Sequence, residues 1–422
     1  MSTLYLTRYG NPAQGVAALV DQKPELIIVI PAFDEPRLIE TLKSVTASKG
    51  NNQTLVIPVI NFHENTSEDI KNNSQNTFEA VQVWASKKTD KNFQVTPLIC
   101  KFTEKRSGVG MARKVGMDEA VRVYEQFDSD GIIVNLDADC TVKSNYVSAI
   151  FRHFQENQQT PAAVIHFEHR LESPENDEAI IHYELHLRYF VNMQRYCLLP
   201  YAYQTVGSCM AVRSRAYQKQ GGMNKRKAGE DFYFLMKMML LGHFSEINDT
   251  VVYPSSRTSD RVPFGTGRAM LEWQAGLEKR NSSYHPESFL LLKIFLDMVP
   301  ELFFKDFNSL KGRIPLLVWQ FMESQKIHVI LSDIKKKSKD IGIFLRHFYS
   351  WFDGFLLMKY VHFSRDHFYA DQEINYCVKW YFENVLRRKM PATLTESLNE
   401  MRVEDQNEIY KLGYHSYGKQ ID

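Results

Sequence analysis

The chain has 422 residues, which is enough for one domain of roughly 200–300 residues and a second region. With 44% hydrophobic and 24% charged residues, it has the composition of a globular protein. Because 51 Lys and Arg residues almost balance 50 Asp and Glu residues, the net charge of +1 argues against a nucleic-acid-binding protein.

Strand patterns alternate with helix patterns from Leu26 to about Tyr253, which predicts an α/β domain with a mostly parallel sheet flanked by helices. The predicted strands are Leu26–Ile30, Thr54–Phe62, Val95–Cys100, Gly131–Leu136, Ala163–Phe167 and Val206–Val212. The predicted helices are Arg37–Ser48, Phe78–Ser86, Met111–Phe127, Tyr146–Phe154, Glu178–Tyr196 and Asp231–Leu241.

From about Tyr284 the strand patterns fade, and the predicted helices are rich in aromatic residues, Leu and Met. They are Phe289–Asp297, Leu316–Ser324, Ile341–Lys359 and Glu373–Leu386. The sequence therefore predicts three parts: an N-terminal extension (1–25), an α/β domain (26–280) and a helical C-terminal region (281–422).

The five cysteines have no metal-binding or CxxC spacing, which predicts neither a zinc site nor a disulfide framework and favours a reducing, cytoplasmic location. The first 23 residues lack the pattern of a signal peptide. No apolar run reaches the roughly 18 residues needed to span a bilayer. Contact of the C-terminal helices with the cytoplasmic face of a membrane stays open, although packing of these helices against one another is the preferred interpretation.

Two carboxylates, Asp137 and Asp139, directly follow the apolar strand Gly131–Leu136. Carboxylates one residue apart at the end of a buried strand can hold a hard divalent cation, whose remaining coordination positions suit a diphosphate. The same short pattern also occurs at ordinary loops and helix starts, so by itself it does not decide between these alternatives.

Four further segments lie where a diphosphate site would need them. The first is an acidic turn after the first strand, Pro31–Arg37, and the second is a basic, glycine-containing loop that opens a helix, Lys105–Gly116. The third is Gly207–Arg213, and the fourth is Gly229-Glu230-Asp231 at the start of an apolar helix. Taken singly, the basic loop is better interpreted as an ordinary surface loop, and the acidic pair is better interpreted as stabilising a helix N-terminus.

In this order, the five segments resemble the family 2 glycosyltransferases of GT-A fold. The resemblance covers roughly Leu26 to Tyr253 and implies transfer of a sugar from a nucleotide-diphosphate sugar to an acceptor hydroxyl. The expected acceptor is a glycan, polysaccharide or glycoconjugate, or a lipid-linked acceptor, which indicates a role in polysaccharide or glycoconjugate synthesis. It further implies a single-displacement, inverting reaction. The divalent cation would be Mn²⁺ or Mg²⁺, since carboxylate and phosphate oxygens suit hard ions.

The resemblance also assigns site residues. Asp139 would bind the metal, Asp137 would face the ribose or the metal, and Asp231 would be the general base with Glu230 beside it. The residues expected to contact the nucleotide or the donor sugar are Pro31, Phe33, Glu35, Asn61, Arg106, Gly108, Arg113, Gly207, Ser208, Arg257 and Arg261. Of these, Arg257 and Arg261 lie in a stretch that is equally interpreted as a lid over the diphosphate or as a polar linker.

One position departs from the family pattern. The second strand usually ends in an acidic pair followed by Gly-Ser, whereas this chain has Asn61 in Ile60–Ser67. An amide both donates and accepts hydrogen bonds, so the recognised base is left open between a purine and a pyrimidine.

In the segment Glu178–Tyr196, stacking of the aromatic side chains on acceptor sugars is less favoured than packing in a helical core; these residues are Tyr183, His186, Tyr189 and Tyr196.

Two other functions stay open from the sequence. A sugar-phosphate nucleotidyltransferase would normally have a Gly-rich, Arg- or Lys-bearing segment after the first strand, whereas this chain has the acidic turn Pro31–Arg37. A non-catalytic module that binds a sugar nucleotide or a protein partner is disfavoured because both Asp139 and Asp231 are present.

Overall fold

The computed structural model describes residues 4–48, 50, 52–87, 90–172, 174–225, 229–257, 265–275 and 281–407. The chain divides into two compact units, the first comprising Met1–Glu172 and Thr205–Arg268 and the second Ser173–Gln204 and Ala269–Asp422. The division into 1–25, 26–280 and 281–422 stays a prediction.

The first unit contains a sheet whose strands run in the order β3-β2-β1-β5-β8-β7-β9-β6, with β4 also paired to β2. The strands are β1 (Leu26–Ala32), β2 (Thr54–His63), β3 (Phe93–Val95), β4 (Leu98–Phe102), β5 (Ile132–Asn135), β6 (Thr141–Val142), β7 (Ala162–Phe167), β8 (Met210–Arg213) and β9 (Ser245–Tyr253). Two short strands of the second unit, β10 (Ser282–Ser283) and β11 (Gln372–Glu373), pair with each other.

Helices account for most of the remaining described residues. In chain order they are α1 (Leu4–Arg8), α2 (Leu38–Thr46), α3 (Glu68–Ser86), α4 (Val109–Gln126), α5 (Tyr146–Glu156), α6 (Pro174–Tyr196), α7 (Ser214–Lys219), α8 (Glu230–Met239), α9 (Thr266–Gln274), α10 (Pro286–Leu296), α11 (Leu316–Ser324), α12 (Ile327–Lys337), α13 (Ile341–Trp351), α14 (Gly354–His367), α15 (Ile374–Asn384) and α16 (Leu394–Gln406). Short 3-10 helices cover Ala17–Leu19, Glu104–Arg106, Val299–Phe303 and Phe307–Leu310.

The central strands are buried and mostly parallel. All seven residues of β1 are buried, and β1 pairs in parallel with β2 on one side and β5 on the other. Continuous apolar strands of this kind are typical of sheets covered on both faces. The antiparallel pairs are those of β8 with β5 and β7 and that of β6 with β9. The predicted α/β architecture with a mostly parallel sheet is therefore confirmed.

Helix α4 lies unusually close to the sheet. A Cβ atom added at Gly116 would be 2.4 Å from Cγ1 of Val29 in β1 and 3.0 Å from Cγ2 of Val59 in β2. Only a residue without a side chain permits this approach, so α4 packs with its backbone directly against β1 and β2.

The N-terminal segment holds α4 through two buried carboxylates. Asp118 accepts hydrogen bonds from the Tyr5 hydroxyl (2.7 Å) and the Asn11 backbone N–H (2.8 Å). Glu119 accepts backbone N–H bonds from Gln14 (3.1 Å) and Val16 (3.0 Å). Because neither carboxylate is exposed to solvent, these bonds are needed to offset the cost of burying their charges.

Several predicted elements have different bounds, among them Val95–Cys100, which is divided between β3 and β4, and three further cases are explained by local structure. Helix α3 begins at Glu68, ten residues before the predicted start at Phe78, because the Ser67 side chain caps it by accepting from the Ile70 N–H. The predicted helix Ile341–Lys359 is two helices, α13 and α14, since Asp353 caps a new helix at Gly354. The predicted strand Val206–Val212 begins only at Met210, after a turn that contains Gly207 and Ser208.

The described residues of the second unit form helices apart from β10 and β11, and buried ion pairs join α6 to α16. Arg402 forms two hydrogen bonds of 2.8 Å with Glu184, while Asp405 accepts from Arg188 and from Arg195. Among the described residues, no helix is both long enough and apolar enough to cross a bilayer.

Candidate active site

The carboxyl ends of β1 and β5 place two acidic segments side by side. These strands are parallel neighbours in which Val29 pairs with Asn135, and the Leu136 N–H donates to the Val29 carbonyl (3.1 Å). The acidic turn begins with the last two residues of β1, and the Asp137–Asp139 segment follows β5. Because ligands of open α/β sheets gather beyond such strand ends, this edge is the candidate site.

Local hydrogen bonds fix the Asp137–Asp139 segment. The Thr41 hydroxyl of α2 donates to the Ala138 carbonyl (2.8 Å), and the Cys140 N–H donates to the Asp137 carbonyl (3.2 Å). Ala138 is buried, whereas the side chains of Asp137 and Asp139 are 36% and 27% exposed. The alternation leaves both carboxylates accessible to a ligand.

Arg113 connects this segment to the start of α8. Its guanidinium, at the N-terminal end of α4, donates to Asp137 (2.5 Å) and to Glu230, and both Arg113 and Glu230 are buried. Burial alone would lower the pKa of Arg113, but the charges of Asp137, Glu230 and Asp231 raise it above its ordinary value. The guanidinium is therefore a fixed positive charge among three carboxylates.

Gly207 provides the space for this guanidinium. A Cβ atom at position 207 would be 2.5 Å and 2.6 Å from the two terminal nitrogens of Arg113. Those nitrogens cannot simply move away, because Asp137 and Glu230 hold them. The sequence marked Gly207 as a site residue without giving this reason for a glycine.

A Gly207→Ala variant is expected to be about 1–3 kcal/mol less stable than the parent chain, the usual cost of adding a methyl group to packed surroundings. Activity is expected to fall as well, because the guanidinium has to leave its carboxylate partners. The matched control is Gly312→Ala, since nothing lies within 4 Å of a Cβ at Gly312. Thermal unfolding of the two variants measures the difference, and equal stabilities would contradict the assigned contact.

Asp231 occupies the first turn of α8, next to the buried Glu230. Its carboxylate accepts a hydrogen bond from the Phe232 N–H (2.8 Å). Burial, together with the charge of Glu230, raises the pKa of Asp231 to about 6, although Arg113 acts in the opposite direction. A carboxylate with a pKa closer to neutrality is a better proton acceptor than one with an ordinary value, while still being mostly ionised at pH 7.

Arg257, in the segment after β9, lies between the two acidic segments. Its guanidinium donates to Glu35, which is buried, and is 3.5 Å from Oδ2 of Asp139. The pKa of Asp139 is raised to about 6 by burial and by the charges of Asp137 and Glu35, with Arg257 lowering it. A cation bound beside Asp139 would stabilise its ionised form.

The residues fit a divalent cation that shares its coordination sphere with a ligand. The described residues include no group of three or more His, Cys, Asp or Glu side chains able to hold a metal ion by themselves. Asp137 and Asp139 supply carboxylate oxygens, which suit Mg²⁺ or Mn²⁺, and both are partly exposed. Such a pair accommodates a cation whose other ligands are phosphate oxygens or water.

The remaining predicted residues take varied positions. Pro31 is buried in β1, Phe33 is half-buried in the acidic turn, and Ser208 is buried in the turn before β8. Gly108 precedes α4 with a φ of 129°, which favours glycine. Arg106 lies in the 3-10 helix Glu104–Arg106. The last predicted residue, Arg261, is outside the described residues.

The Asn61 side chain forms hydrogen bonds within the sheet. It is buried near the end of β2, and its amide nitrogen donates to the backbone carbonyls of Ala32 (2.9 Å) and Val59 (3.3 Å). The amide therefore ties β2 to the end of β1, where the acidic turn begins.

Two contributors to the site were not among the site residues assigned from the sequence, although Arg37 ends the predicted acidic turn. Thr41 holds the Asp137–Asp139 segment, and Arg37 donates to the Ser255 hydroxyl (3.3 Å), which also accepts from the Arg257 N–H (3.4 Å). The sequence indicates Thr41 only as a polar residue on the inner face of the first predicted helix.

A comparison of the sequence with known families identifies its class. Residues 132–282 match the family model described as "Glycosyl transferase family group 2". This part of the chain is a family 2 glycosyltransferase domain. The match contains Asp137, Asp139 and Asp231, and it confirms the resemblance and the enzyme class predicted from the sequence. With the mostly parallel sheet and the helical C-terminal region, it also confirms the GT-A fold. No curated protein matches the sequence.

Solved structures of glycosyltransferases are similar at a low level. S. aureus TarS (residues 1–349), in complex with UDP-GlcNAc, has a TM-score of 0.39 and 13% identity, covering 81% of this chain and 89% of that one. The mannosyltransferase PcManGT from Pyrobaculum calidifontis, in complex with GDP-Man and Mn²⁺, has a TM-score of 0.37 and 12% identity, covering 94% and 86%. These TM-scores are too low for the similarities to carry an argument about this chain.

Proposed function

We propose that this glycosyltransferase moves a hexosyl group from a nucleotide-diphosphate sugar to an acceptor hydroxyl of a glycan or a lipid-linked glycan. The observation that supports this proposal most strongly is the position of Arg113. One buried guanidinium contacts both Asp137, on the donor side, and Glu230, beside the candidate base. Arg113 thus links the residues proposed to bind the donor with those proposed to act on the acceptor.

The leaving diphosphate is the first chemical requirement. Breaking the anomeric C–O bond builds negative charge on the diphosphate, and a bound Mg²⁺ or Mn²⁺ supplies stabilisation of that charge. Asp137 and Asp139 would hold the ion. Arg257 lies 3.5 Å from Asp139, and this proximity supports assigning to it a contact with the phosphates.

The acceptor hydroxyl is the second requirement. It must lose its proton as its oxygen attacks the anomeric carbon, and Asp231 would take that proton. Attack on the face opposite the leaving group inverts the configuration at this carbon. Glu230 would not take the proton, because it is buried and paired with Arg113. Burial, and then the charge of Glu230, keep the pKa of Asp231 raised.

The donor-binding half is tested by thermal unfolding with UDP, GDP, ADP, CDP and dTDP, each with and without Mn²⁺. At least one nucleoside diphosphate is expected to raise the melting temperature by several degrees in the presence of Mn²⁺, because a ligand at 100 times its Kd adds about 2.7 kcal/mol. The shift is expected to vanish in an Asp139→Ala variant. The control is Asp249→Ala, which removes an exposed carboxylate of β9.

An equal shift in the Asp139→Ala variant would refute the metal assignment. Analysis of the released product separates the alternative enzymes: nucleoside diphosphate is expected from a transferase, whereas pyrophosphate would indicate a nucleotidyltransferase. Binding with neither product across a panel of acceptors would indicate a non-catalytic module.

A further inference from the structure

A cavity of about 180 Å³ lies within the second unit, lined by described residues of α6, α9, α14 and β10 and by residues next to β10 and β11. Four rings line it, and all four are half-buried: Tyr183, His186, Trp273 and Tyr284. The candidate active site described above uses none of these residues.

The spacing of residues along α6 explains one wall. Ala179, Tyr183 and His186 are four and three residues apart, so they share one face of this helix. The small side chain of Ala179 leaves open space beside the two rings. This wall accounts for two of the four aromatic residues that the sequence placed on α6, while Tyr189 is buried and donates to the Tyr284 carbonyl (3.0 Å).

The other aromatic side chains are held by neighbours. The Trp273 ring packs edge-to-face with His182, with 4.9 Å between centroids and 66° between planes. The Tyr284 hydroxyl is 3.1 Å from Nε2 of His362, and Nδ1 of His186 is 2.9 Å from the Ser283 hydroxyl. Because these rings are already held in place, little side-chain conformational entropy is lost when a ligand binds.

Polar groups of both kinds face the same space. Arg365 of α14 is a donor, and Asp371, in the segment before β11, is an acceptor. Burial, and then the charge of Asp371, raises the pKa of Tyr284 to about 12, so its hydroxyl stays protonated at neutral pH. The cavity therefore offers hydrogen bonds in both directions without a surplus of charge.

We propose that this cavity binds one neutral pyranose unit of a glycan. A pyranose has C–H faces that pack on aromatic rings and a rim of hydroxyls that both donate to a carboxylate and accept from a guanidinium. A nucleotide fits less well, because its phosphates need surplus positive charge and Asp371 offsets Arg365. That the bound sugar belongs to the acceptor rests on the proposed function, whereas its binding to the cavity does not.

Saturation-transfer NMR on the full chain, without nucleotide or metal, tests the proposal with glucose, galactose, mannose, N-acetylglucosamine and uridine as probes. At least one sugar is expected to give a signal, and its affinity is expected to fall about tenfold or more in Trp273→Ala, as for truncation of a central aromatic contact. The same loss is expected in Arg365→Ala, and the fold is expected to persist because this side chain is exposed.

Two controls keep binding in the cavity separate from other effects. Phe304→Ala removes an aromatic side chain that is 75% exposed in the same unit, and Asp139→Ala disables the proposed donor site; neither is expected to change sugar binding. The proposal would be overturned if no sugar gave a signal, or if the Trp273 and Arg365 variants gave the same signal as the parent chain. Preferential binding of uridine in the cavity would also overturn it. If sugar binding persists while transfer assays fail, the proposed function is wrong and the cavity assignment stands.

Discussion

An Asp231→Asn variant is expected to bind the nucleotide-diphosphate sugar normally and to transfer its sugar about 10²–10⁴ times more slowly, the contribution typical of a general base. The amide has nearly the shape of the carboxylate but cannot accept the proton of the acceptor hydroxyl. In the parent chain, kcat/KM is expected to rise with pH and to reach half its maximum near the pKa of Asp231, about 6, because the base must be ionised. That rise is expected to disappear in the variant.

The chain offers a matched control for this variant. Helix α3 begins with Glu68-Asp69 as α8 begins with Glu230-Asp231, and Asp69 is exposed. If Asp231 only stabilised a helix N-terminus, its replacement would cost the few tenths to 1 kcal/mol expected of any acid there and would leave the rate unchanged. Similar transfer rates for Asp69→Asn and Asp231→Asn would therefore remove Asp231 from the mechanism.

Replacing Arg113 with Met is expected to lower the free energy of unfolding by about 3–5 kcal/mol, because it leaves a buried carboxylate without its partner. Glu230 is only 1% exposed, so water cannot take over the role of the guanidinium. The double variant Arg113→Met with Glu230→Gln is expected to recover part of the loss, since it removes the uncompensated charge. Urea denaturation of the two single variants and the double variant measures this coupling.

The comparison variant is Arg388→Met. Arg388 pairs with Glu404 at 2.7 Å, but its side chain is 42% exposed, and pairs of this kind contribute about 0–1 kcal/mol. If Arg113→Met lowers the free energy of unfolding by no more than Arg388→Met does, then Arg113 does not compensate buried charge. In that case Arg113 would not join the two halves of the site.

The buried strands could be predicted closely because burial on both faces leaves a continuous apolar run. β1 and β2 match their predicted ranges to within two residues at each end. The first ten residues of α3 were not predicted, since the segment that begins at Glu68 is polar and carries no apolar periodicity. Its capping residue, Ser67, was the local signal. Asp353 was the equivalent signal at the break between α13 and α14.

The site was predictable as a set of carboxylates at strand ends, but not as a network. Parallel neighbouring strands end at the same edge of a sheet, so the acidic turn at the end of β1 and Asp139 after β5 are expected to lie close together. No such rule pairs Arg113 with Glu230, which is 117 residues away in the chain. That contact depends on how α4 and α8 pack, and only the folded chain determines it.

The close approach of α4 to the sheet at Gly116 has a consequence for the energetics of catalysis. With its backbone against β1 and β2 on one side and its acidic residues tied to the N-terminal segment, α4 presents Arg113 from a stiff support. A charge set in advance does not have to be reoriented as the transition state forms, whereas water dipoles would have to be. If Arg113 acts in the proposed transfer, the work of arranging this dipolar environment would be done once, during folding, rather than in every turnover.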